Sequence, residues 1–470
     1  MECNNILVGG TWVPSEAEAR IEAINPATEE VVARIPDGTS GDVDRATAAA
    51  VASFERWSQS SLDERKAVLN RLADLIDRDR EPLLRNMVAE SGLPITPAGR
   101  SQVDGASDEL RLMAEVVDQI DWATHYGSSR VVRQAAGVTG AITAWNAPLR
   151  SIISKAGAAI AAGCTVVVKP SEVTPLSAIA LADLFGEAGA PDGVFNLVLG
   201  RGPVIGEAIA SHPDIEVVSL TGSVRAGQRV MELASRMVKR VHLELGGKSA
   251  NVVLRDADVE RAVQVGIEDA FRNTGQACGA LTRVVVPRPS LAKAEAAAVA
   301  KVESYVVGDP MDPATTIGPV ATASQFRRVR DYIDIGQAEG ARLLVGGSDR
   351  PKGLNRGYYV NPTVFTGDNF MRIAREEIFG PVVVIIPYED ETEALQIAND
   401  CDYGLAGAVW AADTDRARAF AQRMRAGRIR VNGTAISKYA PHGGFKLSGI
   451  GREWGRYGIE EFLEYQSIHG

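Results

Sequence analysis

One cysteine of this chain lies in a setting that suits covalent chemistry. Cys278 occurs in the segment 273–279, Asn-Thr-Gly-Gln-Ala-Cys-Gly. A thiol becomes a useful nucleophile when a turn of small residues exposes it and it can lose its proton. Upstream, Glu244 is followed closely by Gly246 and Gly247, and a glutamate can act as the general base that activates a water. The two residues together predict an enzyme with a nucleophile and a base.

Two glycine-bearing turns, 200–206 and 222–227, each follow a predicted strand. Backbone N–H groups in such turns, together with a helix N-terminus, can face a phosphate. Neither turn has the usual G-x-G-x-x-G spacing, so a plain strand-to-helix turn is an equal alternative for each one alone. Lys169 and Glu172 follow another predicted strand, at the edge where open α/β sheets bind ligands. A carboxylate there suits ribose hydroxyls and repels a 2′-phosphate, so Glu172 favours NAD, while Lys169 leaves NADP open.

The elements that must position these residues alternate from Gly140 onward. Runs of β-branched and apolar residues predict strands at 165–168, 194–199, 217–220, 283–286, 382–386 and 408–411. The Ala/Leu-rich segment 175–188 predicts a helix between the first two strands. This alternation predicts an α/β fold with a parallel, doubly wound sheet, followed by a second α/β block from 249 to 441, with a boundary near Gly246.

The flanking segments differ from this alternating part. Residues 1–35 indicate an extended β-hairpin arm, 41–90 has helical spacing, 130–144 indicates a strand, and 460–468 indicates a final strand.

Composition limits the possible functions. The 470 residues exceed one ordinary core, so two or three domains are expected. A net charge of −10 argues against nucleic acid as a partner. No apolar run is long enough to span a bilayer, and the N-terminus lacks the order of a signal peptide, so a cytoplasmic protein is expected. Four scattered cysteines fit a reducing compartment, and no metal-ligand spacing occurs.

These segments together resemble the aldehyde dehydrogenase superfamily, in its hydrolytic, non-acylating branch. The matching motifs include 144–148 (Ala-Trp-Asn-Ala-Pro), 168–172 (Val-Lys-Pro-Ser-Glu) and 376–381 (Glu-Glu-Ile-Phe-Gly-Pro), and the matches extend from about Trp145 to Trp454. The resemblance implies NAD-dependent oxidation of an aldehyde to a carboxylic acid, through a cysteine thiohemiacetal and a thioester. It also implies a homodimer or homotetramer.

The resemblance implies a role for each matched residue. Cys278 would be the nucleophile and Glu244 the base, while the Asn146 amide and the Cys278 backbone N–H would form an oxyanion hole. Lys155 and Glu453 match a proton path to the base. The implied cofactor contacts are Trp145, Lys169, Ser171, Glu172, Gly202, Gly222, Ser223, Leu245, Gly246, Gln325, Glu377 and Phe379, the last two at the nicotinamide end. The implied domains are a dinucleotide-binding domain (1–116 and 136–246), a catalytic domain (247–445) and small β oligomerisation elements (117–135 and 446–470).

Three residues depart from the aromatic-lined pockets that are common in this superfamily. Ala147, Ser154 and His442 stand where bulky aromatic side chains are frequent. Smaller or more polar lining predicts a wider pocket and a substrate bulkier or more polar than acetaldehyde, unless neighbouring residues fill the space.

Three other functions compete with aldehyde oxidation to the acid. A CoA-acylating dehydrogenase would pass the acyl group to CoA, and the presence of Glu244 argues against it. A cysteine esterase or thiol hydrolase would use Cys278 without a cofactor. A non-catalytic binding role is disfavoured because Cys278, Glu244 and Asn146 are all present.

Overall fold

The computed structural model describes all 470 residues. Its strands, numbered in chain order, are β1 (Asn5–Val8), β2 (Thr11–Pro14), β3 (Arg20–Ile24), β4 (Val31–Pro36), β5 (Ala123–Tyr126), β6 (Ser129–Ala135), β7 (Val138–Ile142), β8 (Thr165–Lys169), β9 (Phe195–Leu197), β10 (Val217–Thr221), β11 (Arg240–Glu244), β12 (Ala250–Val253), β13 (Arg283–Pro287), β14 (Arg342–Val345), β15 (Thr363–Thr366), β16 (Val382–Tyr388), β17 (Tyr403–Gly404), β18 (Ala406–Trp410), β19 (Arg428–Val431), β20 (Phe445–Lys446), β21 (Gly449–Ile450) and β22 (Leu463–His469).

The α-helices are numbered in the same way. They are α1 (Ser40–Ser58), α2 (Leu62–Arg78), α3 (Arg80–Ser91), α4 (Ile95–Ala98), α5 (Gly105–Val116), α6 (Pro148–Ile152), α7 (Ala158–Ala162), α8 (Pro175–Glu187), α9 (Glu207–Ser211), α10 (Val224–Ser235), α11 (Val259–Phe271), α12 (Leu291–Glu303), α13 (Ala323–Ala338), α14 (Arg372–Arg375), α15 (Glu391–Asn399), α16 (Thr414–Arg423) and α17 (Gly455–Glu460). No helix is both long enough and apolar enough to cross a membrane.

Two large sheets organise the chain. The first has the order β2-β1-β9-β8-β7-β10-β11-β21, and its five central strands from β9 to β11 run parallel. The second has the order β14-β15-β16-β13-β12-β18-β19, and all its pairs are parallel except β14 with β15. The β-branched runs of β8 and β13 are buried along their whole length, as expected for parallel strands covered on both faces. The predicted α/β class is therefore confirmed.

Several boundaries differ from those predicted. The predicted strand 130–144 is interrupted at Gly137, whose φ of 134° and close approach to the Glu216 carboxylate exclude a side chain, so β6 and β7 enter different sheets. The helical stretch 41–90 is three helices, because Ser61 and Glu64 form a capping box that starts α2 anew.

The two ends of the chain also differ from their predicted form. In the arm predicted for residues 1–35, β1 joins the first sheet through β9. The segment 460–468, predicted as a strand, begins inside α17, and β22 starts only at Leu463.

The chain passes from the first sheet to the second between β11 and β12. The carboxyl ends of the parallel strands of the first sheet and the loop after α11 both contribute to the cleft described next. Open α/β sheets bind ligands at this edge.

Candidate active site

The loop that carries Cys278 is held in an unusual backbone conformation. After α11 ends, Asn273, Thr274 and Gly275 all have positive φ (53°, 56° and 73°). Thr274 Oγ1 accepts from the Gly318 N–H at 3.1 Å, and Gln276 Oε1 accepts from the Ala321 N–H at 2.9 Å. These contacts fix the loop to the chain that precedes α13, so the position of the thiol is set by buried hydrogen bonds.

Cys278 lies where two cavities meet. The first cavity has a volume of about 290 Å³ and extends towards Ala147 and His442. The second cavity has a volume of about 330 Å³ and extends towards Trp145 and Phe379. Four residues line both: Asn146, Thr221, Glu244 and Cys278. The predicted nucleophile, base and oxyanion-hole amide are therefore brought together from distant parts of the chain.

The amide of Asn146 is positioned by the cysteine loop itself. Asn146 Nδ2 donates to the carbonyl oxygen of Gln276 at 3.0 Å, and Asn273 Nδ2 donates to the carbonyl oxygen of Asn146 at 3.2 Å. The orientation of the amide is thus fixed beside Cys278, where an amide N–H can stabilise an oxyanion without reorganisation.

Glu244 ends β11 as a buried carboxyl group without a hydrogen-bond partner on either oxygen. Two imidazoles lie beside it, with His242 Nε2 at 3.7 Å from Oε1 and His442 Nε2 at 3.5 Å from Oε2. Burial, and then the nearby charge of Glu453, raise the pKa of Glu244 well above its usual range. A carboxylate of raised pKa is a stronger base, as a water-activating group requires.

The thiol also has a shifted pKa. Burial, followed by the charge of Glu244, raises the pKa of Cys278 to about 11, although Arg272 and Arg428 oppose the shift. The thiol therefore keeps its proton at neutral pH, and its attack on a carbonyl group needs a proton acceptor.

Lys155 and Glu453, the predicted proton path, form a buried ion pair. Lys155 Nζ lies 2.8 Å from Glu453 Oε1, and the lysine side chain is completely buried. Burial raises the pKa of Glu453, but the charge and hydrogen bond of Lys155, together with His242 and His442, outweigh it, so the net shift is downward. Glu453 lines the first cavity, and no hydrogen bond links the pair to Glu244.

Most of the predicted cofactor contacts line the second cavity. They are Trp145, Gly222, Ser223, Leu245, Gly246, Gln325, Glu377 and Phe379. Glu377 Oε1 accepts from the Gly247 N–H at 3.0 Å, and the rings of Trp145 and Phe379 meet edge to face at 5.3 Å. Gln325 Nε2 donates to the carbonyl oxygen of Phe379 at 2.8 Å, which fixes this wall.

The other four predicted contacts lie outside that cavity: Lys169 is the last residue of β8, Ser171 and Glu172 follow it, and Gly202 follows β9. Lys169 Nζ is 2.8 Å from Glu172 Oε2. Burial raises the pKa of Glu172, but the charge and hydrogen bond of Lys169, with a backbone hydrogen bond and the charge of Arg201, together outweigh it. The net shift is downward, so the carboxylate is charged at neutral pH.

The three residues predicted for the substrate pocket, Ala147, Ser154 and His442, all line the first cavity. Ser154 Oγ donates to a carboxylate oxygen of Glu109. The ring of His442 stacks on Trp454 with 4.5 Å between centroids.

Sequence reasoning placed His442 in the pocket wall but missed its position beside Glu244. It also missed a group of cationic residues on the same cavity: Arg150, Arg272, Arg428 and Lys438. They come from four separate segments, so no local motif marks them.

Comparison with known proteins identifies the family. The model of the aldehyde dehydrogenase family matches residues 12–468. A 3-succinoylsemialdehyde-pyridine dehydrogenase from Pseudomonas sp is 46% identical over 465 residues, which cover 98% of each chain. Aldehyde dehydrogenase C of Pseudomonas syringae, a cysteine-to-alanine mutant complexed with NAD+ and octanal, is 46% identical with a TM-score of 0.98, over 99% of this chain and 96% of that one.

A second solved structure agrees with the first. The aldehyde dehydrogenase of Mycobacterium tuberculosis complexed with NAD+ is 40% identical with a TM-score of 0.97, over 100% of this chain and 98% of that one. The family resemblance and the fold predicted from the sequence are confirmed. The chain belongs to the aldehyde dehydrogenase family.

Proposed function

We propose that this chain oxidises an aldehyde to its carboxylic acid with NAD, through a covalent thioester on Cys278. The observation that carries the proposal is the meeting of Cys278, Glu244 and Asn146 at the junction of two cavities. One cavity suits the aldehyde and the other suits the nicotinamide end of the cofactor, so the thiol lies between the two reactants.

The chemistry follows from the residue types. The sulfur of Cys278 forms a bond to the aldehyde carbon after losing its proton, and the carbonyl oxygen becomes an oxyanion. The Asn146 amide and the Cys278 backbone N–H are the groups that would stabilise this charge; removing one such donor typically costs about 10²–10³ in turnover. Loss of a hydride from this carbon to the nicotinamide re-forms the carbonyl group as a thioester. Glu244 then takes a proton from water, and the resulting hydroxide adds to the thioester carbon. The carbon–sulfur bond breaks to release the acid, and the proton on Glu244 returns to the sulfur.

The residues around the second cavity fit a dinucleotide. Ser223 caps α10 by accepting from the Ala226 N–H at 3.2 Å, and the N-terminal N–H groups of this helix suit a pyrophosphate. A Cβ atom at Gly202 would meet nothing within 4 Å, so a ligand can approach the backbone there. When bound, NAD supplies the acceptor for the hydride that leaves the aldehyde carbon. The charged Glu172 carboxylate supports NAD over NADP, because it would repel a 2′-phosphate.

The proposal extends to the organisation of the protein. The first sheet would form the cofactor domain and the second the catalytic domain, with β5, β6 and β22 as the oligomerisation sheet of a homodimer or homotetramer. The four cysteines are all unpaired, which supports a reducing, cytoplasmic environment.

The direct test is an aldehyde panel that includes octanal and acetaldehyde, assayed with NAD and NADP in parallel. Reduced cofactor is followed by absorbance, and the product is identified as free acid or, with CoA present, as acyl-CoA. We expect free acid, higher kcat/KM with NAD, and no turnover by Cys278→Ala. Product formation without nicotinamide, or acyl-CoA as the main product, would overturn the proposal.

A further inference from the structure

The first cavity is lined by more cationic than acidic side chains. Arg150, Arg272, Arg428 and Lys438 line it, against the carboxyl groups of only Glu244 and Glu453. Glu453 is already paired with Lys155, and Glu244, with its raised pKa, is the proposed base. Neither acid is therefore available to neutralise the four cations.

Two acidic residues that do not line the cavity, Glu109 and Asp269, neutralise only part of this charge. Glu109 forms ion pairs with two cations, Arg150 at 3.3 Å and Lys438 at 3.8 Å. Asp269 also forms ion pairs with two arginines: a close pair with Arg430 at 2.6 Å and a longer one with Arg272 at 3.6 Å. Each acid therefore leaves one positive charge uncompensated.

Arg428 has no carboxylate partner at all. Its guanidinium lies over the ring of Trp454 at 5.5 Å and has one hydrogen bond, to His442 Nδ1 at 3.3 Å. Burial lowers the pKa of Arg428 to about 10, so the group stays charged at neutral pH. A largely buried cation without a counter-ion is destabilising, and an anion brought by a ligand would remove this penalty.

The position of Arg428 relates it to the reaction centre. Its Nη2 atom lies 3.0 Å from where a Cβ of Gly279 would stand, in the residue that follows Cys278. Arg272, at the start of the cysteine loop, lines the same cavity and is half exposed. An anionic group a few bonds from an aldehyde bound at Cys278 would be within reach of both.

We propose that the natural substrate is an aldehyde that carries a carboxylate on a short chain, and that Arg428, assisted by Arg272, binds this carboxylate. The inference rests on the proposed function and names its substrate class. Guanidinium groups suit this task because they bind carboxylates in a planar, two-bond geometry.

A second role for the arginine has to be separated from this one. Arg428 also lowers the pKa of Cys278, so the alternative is that it stabilises the thiolate and does not bind the substrate. Loss of thiolate stabilisation would slow all aldehydes equally, whereas loss of substrate binding would slow only those that carry a carboxylate.

The test compares 4-oxobutanoate, its methyl ester and butanal by kcat/KM with NAD, in the wild type, Arg428→Gln and Arg418→Gln. The ester keeps the shape of the acid without its charge. Arg418 is a matched charge control, because it is exposed and lies outside the first cavity. We expect the wild type to prefer the acid over the ester by at least about tenfold in kcat/KM, since only the acid can form an ionic hydrogen bond with Arg428. Arg428→Gln should remove that preference, because kcat/KM should fall at least about tenfold further for the acid than for the ester. Arg418→Gln should keep the wild-type preference.

The contrary outcomes are distinct. If Arg428→Gln lowers kcat/KM for the acid and the ester by the same factor, the arginine stabilises the thiolate and does not bind the substrate carboxylate, and the inference is wrong. A wild type that prefers the ester or butanal would also overturn the inference, while the proposed function would stand. No NAD reduction with any aldehyde would overturn both. If Arg428→Gln does not fold, Arg272→Gln at the half-exposed mouth should reduce kcat/KM more for the acid than for the ester, by a smaller factor. An unchanged acid preference in that variant would contradict the inference.

Discussion

At the residue scale, Glu244 and Cys278 act in different steps, so their roles can be separated kinetically. Glu244→Gln keeps the size of the side chain but removes the base, so the acyl-enzyme should form and then hydrolyse slowly. We expect a burst of NADH near one equivalent per site, followed by a steady state about 10²–10⁴-fold slower than in the wild type. Stopped-flow absorbance measures both phases. Cys278→Ala is the control, and it should show neither the burst nor the steady state while it still binds NAD. Absence of a burst in Glu244→Gln would contradict the role of Glu244 as the base that activates water.

His442 is placed to adjust the pKa of that base. Burial, followed by the charge of Arg428, lowers the pKa of His442 to about 3, so the ring is neutral. Arg428 can only donate, so His442 Nδ1 accepts and the ring proton is on Nε2, which lies 3.5 Å from Glu244 Oε2. A donor beside a carboxylate favours its charged form and lowers its pKa.

His442→Phe should therefore raise the pKa of Glu244 further. Hydrolysis of the thioester needs the charged carboxylate, so the rate rises with pH through this pKa, and the rising limb should move to higher pH in the variant. The pH profile of steady-state kcat measures the shift, provided that hydrolysis of the thioester limits turnover. His212→Phe, remote from the site but also altering an imidazole, is the control. A lower plateau at an unchanged midpoint would mean that His442 only packs against Trp454.

The sequence predicted residues that carry their chemistry in a local motif, and it failed for those whose role depends on tertiary contacts. Cys278 and Glu244 have glycine-rich neighbours that mark them, and the structure brings them together. Arg428 is an ordinary strand residue in the sequence, and only the packing of β19 beside the cysteine loop places its guanidinium in the cavity. The position of His442 beside Glu244 likewise depends on a loop that no periodicity predicts.

At the scale of elements, the strands were predicted best where they are buried on both faces. The predicted strand 165–168 lies within β8, because a β-branched run has few other conformations to adopt. The prediction of one continuous strand over 130–144 was wrong. The residues on both sides of Gly137 favour strand, and only the backbone φ of this glycine separates β6 from β7.

The cysteine loop depends on one glycine that joins it to the loop of Phe379. Gly275 has a φ of 73°, and a Cβ there would lie 2.2 Å from the carbonyl carbon of Gly380. Gly275→Ala should therefore displace both loops and reduce kcat/KM by at least about 10²-fold, since a shift of 1 Å in a reacting group can cost that much. Gly340→Ala is a matched control, because Gly340 also has a positive φ (89°) but has no atom within 4 Å of its Cβ position.

The two glycine variants separate steric displacement from backbone strain. Both should lose about 1–2 kcal/mol of stability from a left-handed alanine, but only Gly275→Ala should lose activity. Thermal unfolding and steady-state kinetics on the same samples give the two quantities. Wild-type activity in Gly275→Ala would show that the position of Cys278 does not depend on this contact.

At the scale of the whole molecule, the small sheet of β22, β6 and β5 presents an uncovered surface. Six of the seven residues of β22 are exposed. The register pairs Tyr465 with Arg133 and Tyr126 with Ser129, and because alternate residues of β6 share a face, the two tyrosines lie on one side of the sheet. Tyr465 is 63% exposed and Tyr126 is 69% exposed. Exposed aromatic side chains grouped on one face are typical of a protein interface.

We expect this face to join subunits, so that the 50.0 kDa chain behaves in solution as a dimer or tetramer. Changing Tyr126 and Tyr465 together to glutamate would place charges in the interface, and burying unpaired charge is strongly unfavourable, so the mass should fall towards that of one chain. Light scattering after size-exclusion chromatography measures the mass. Phe370→Glu is the control, since Phe370 is 83% exposed and lies outside this sheet, and it should keep the wild-type mass. A monomeric wild type, or an unchanged mass in the double variant, would contradict the assignment of this face to the interface.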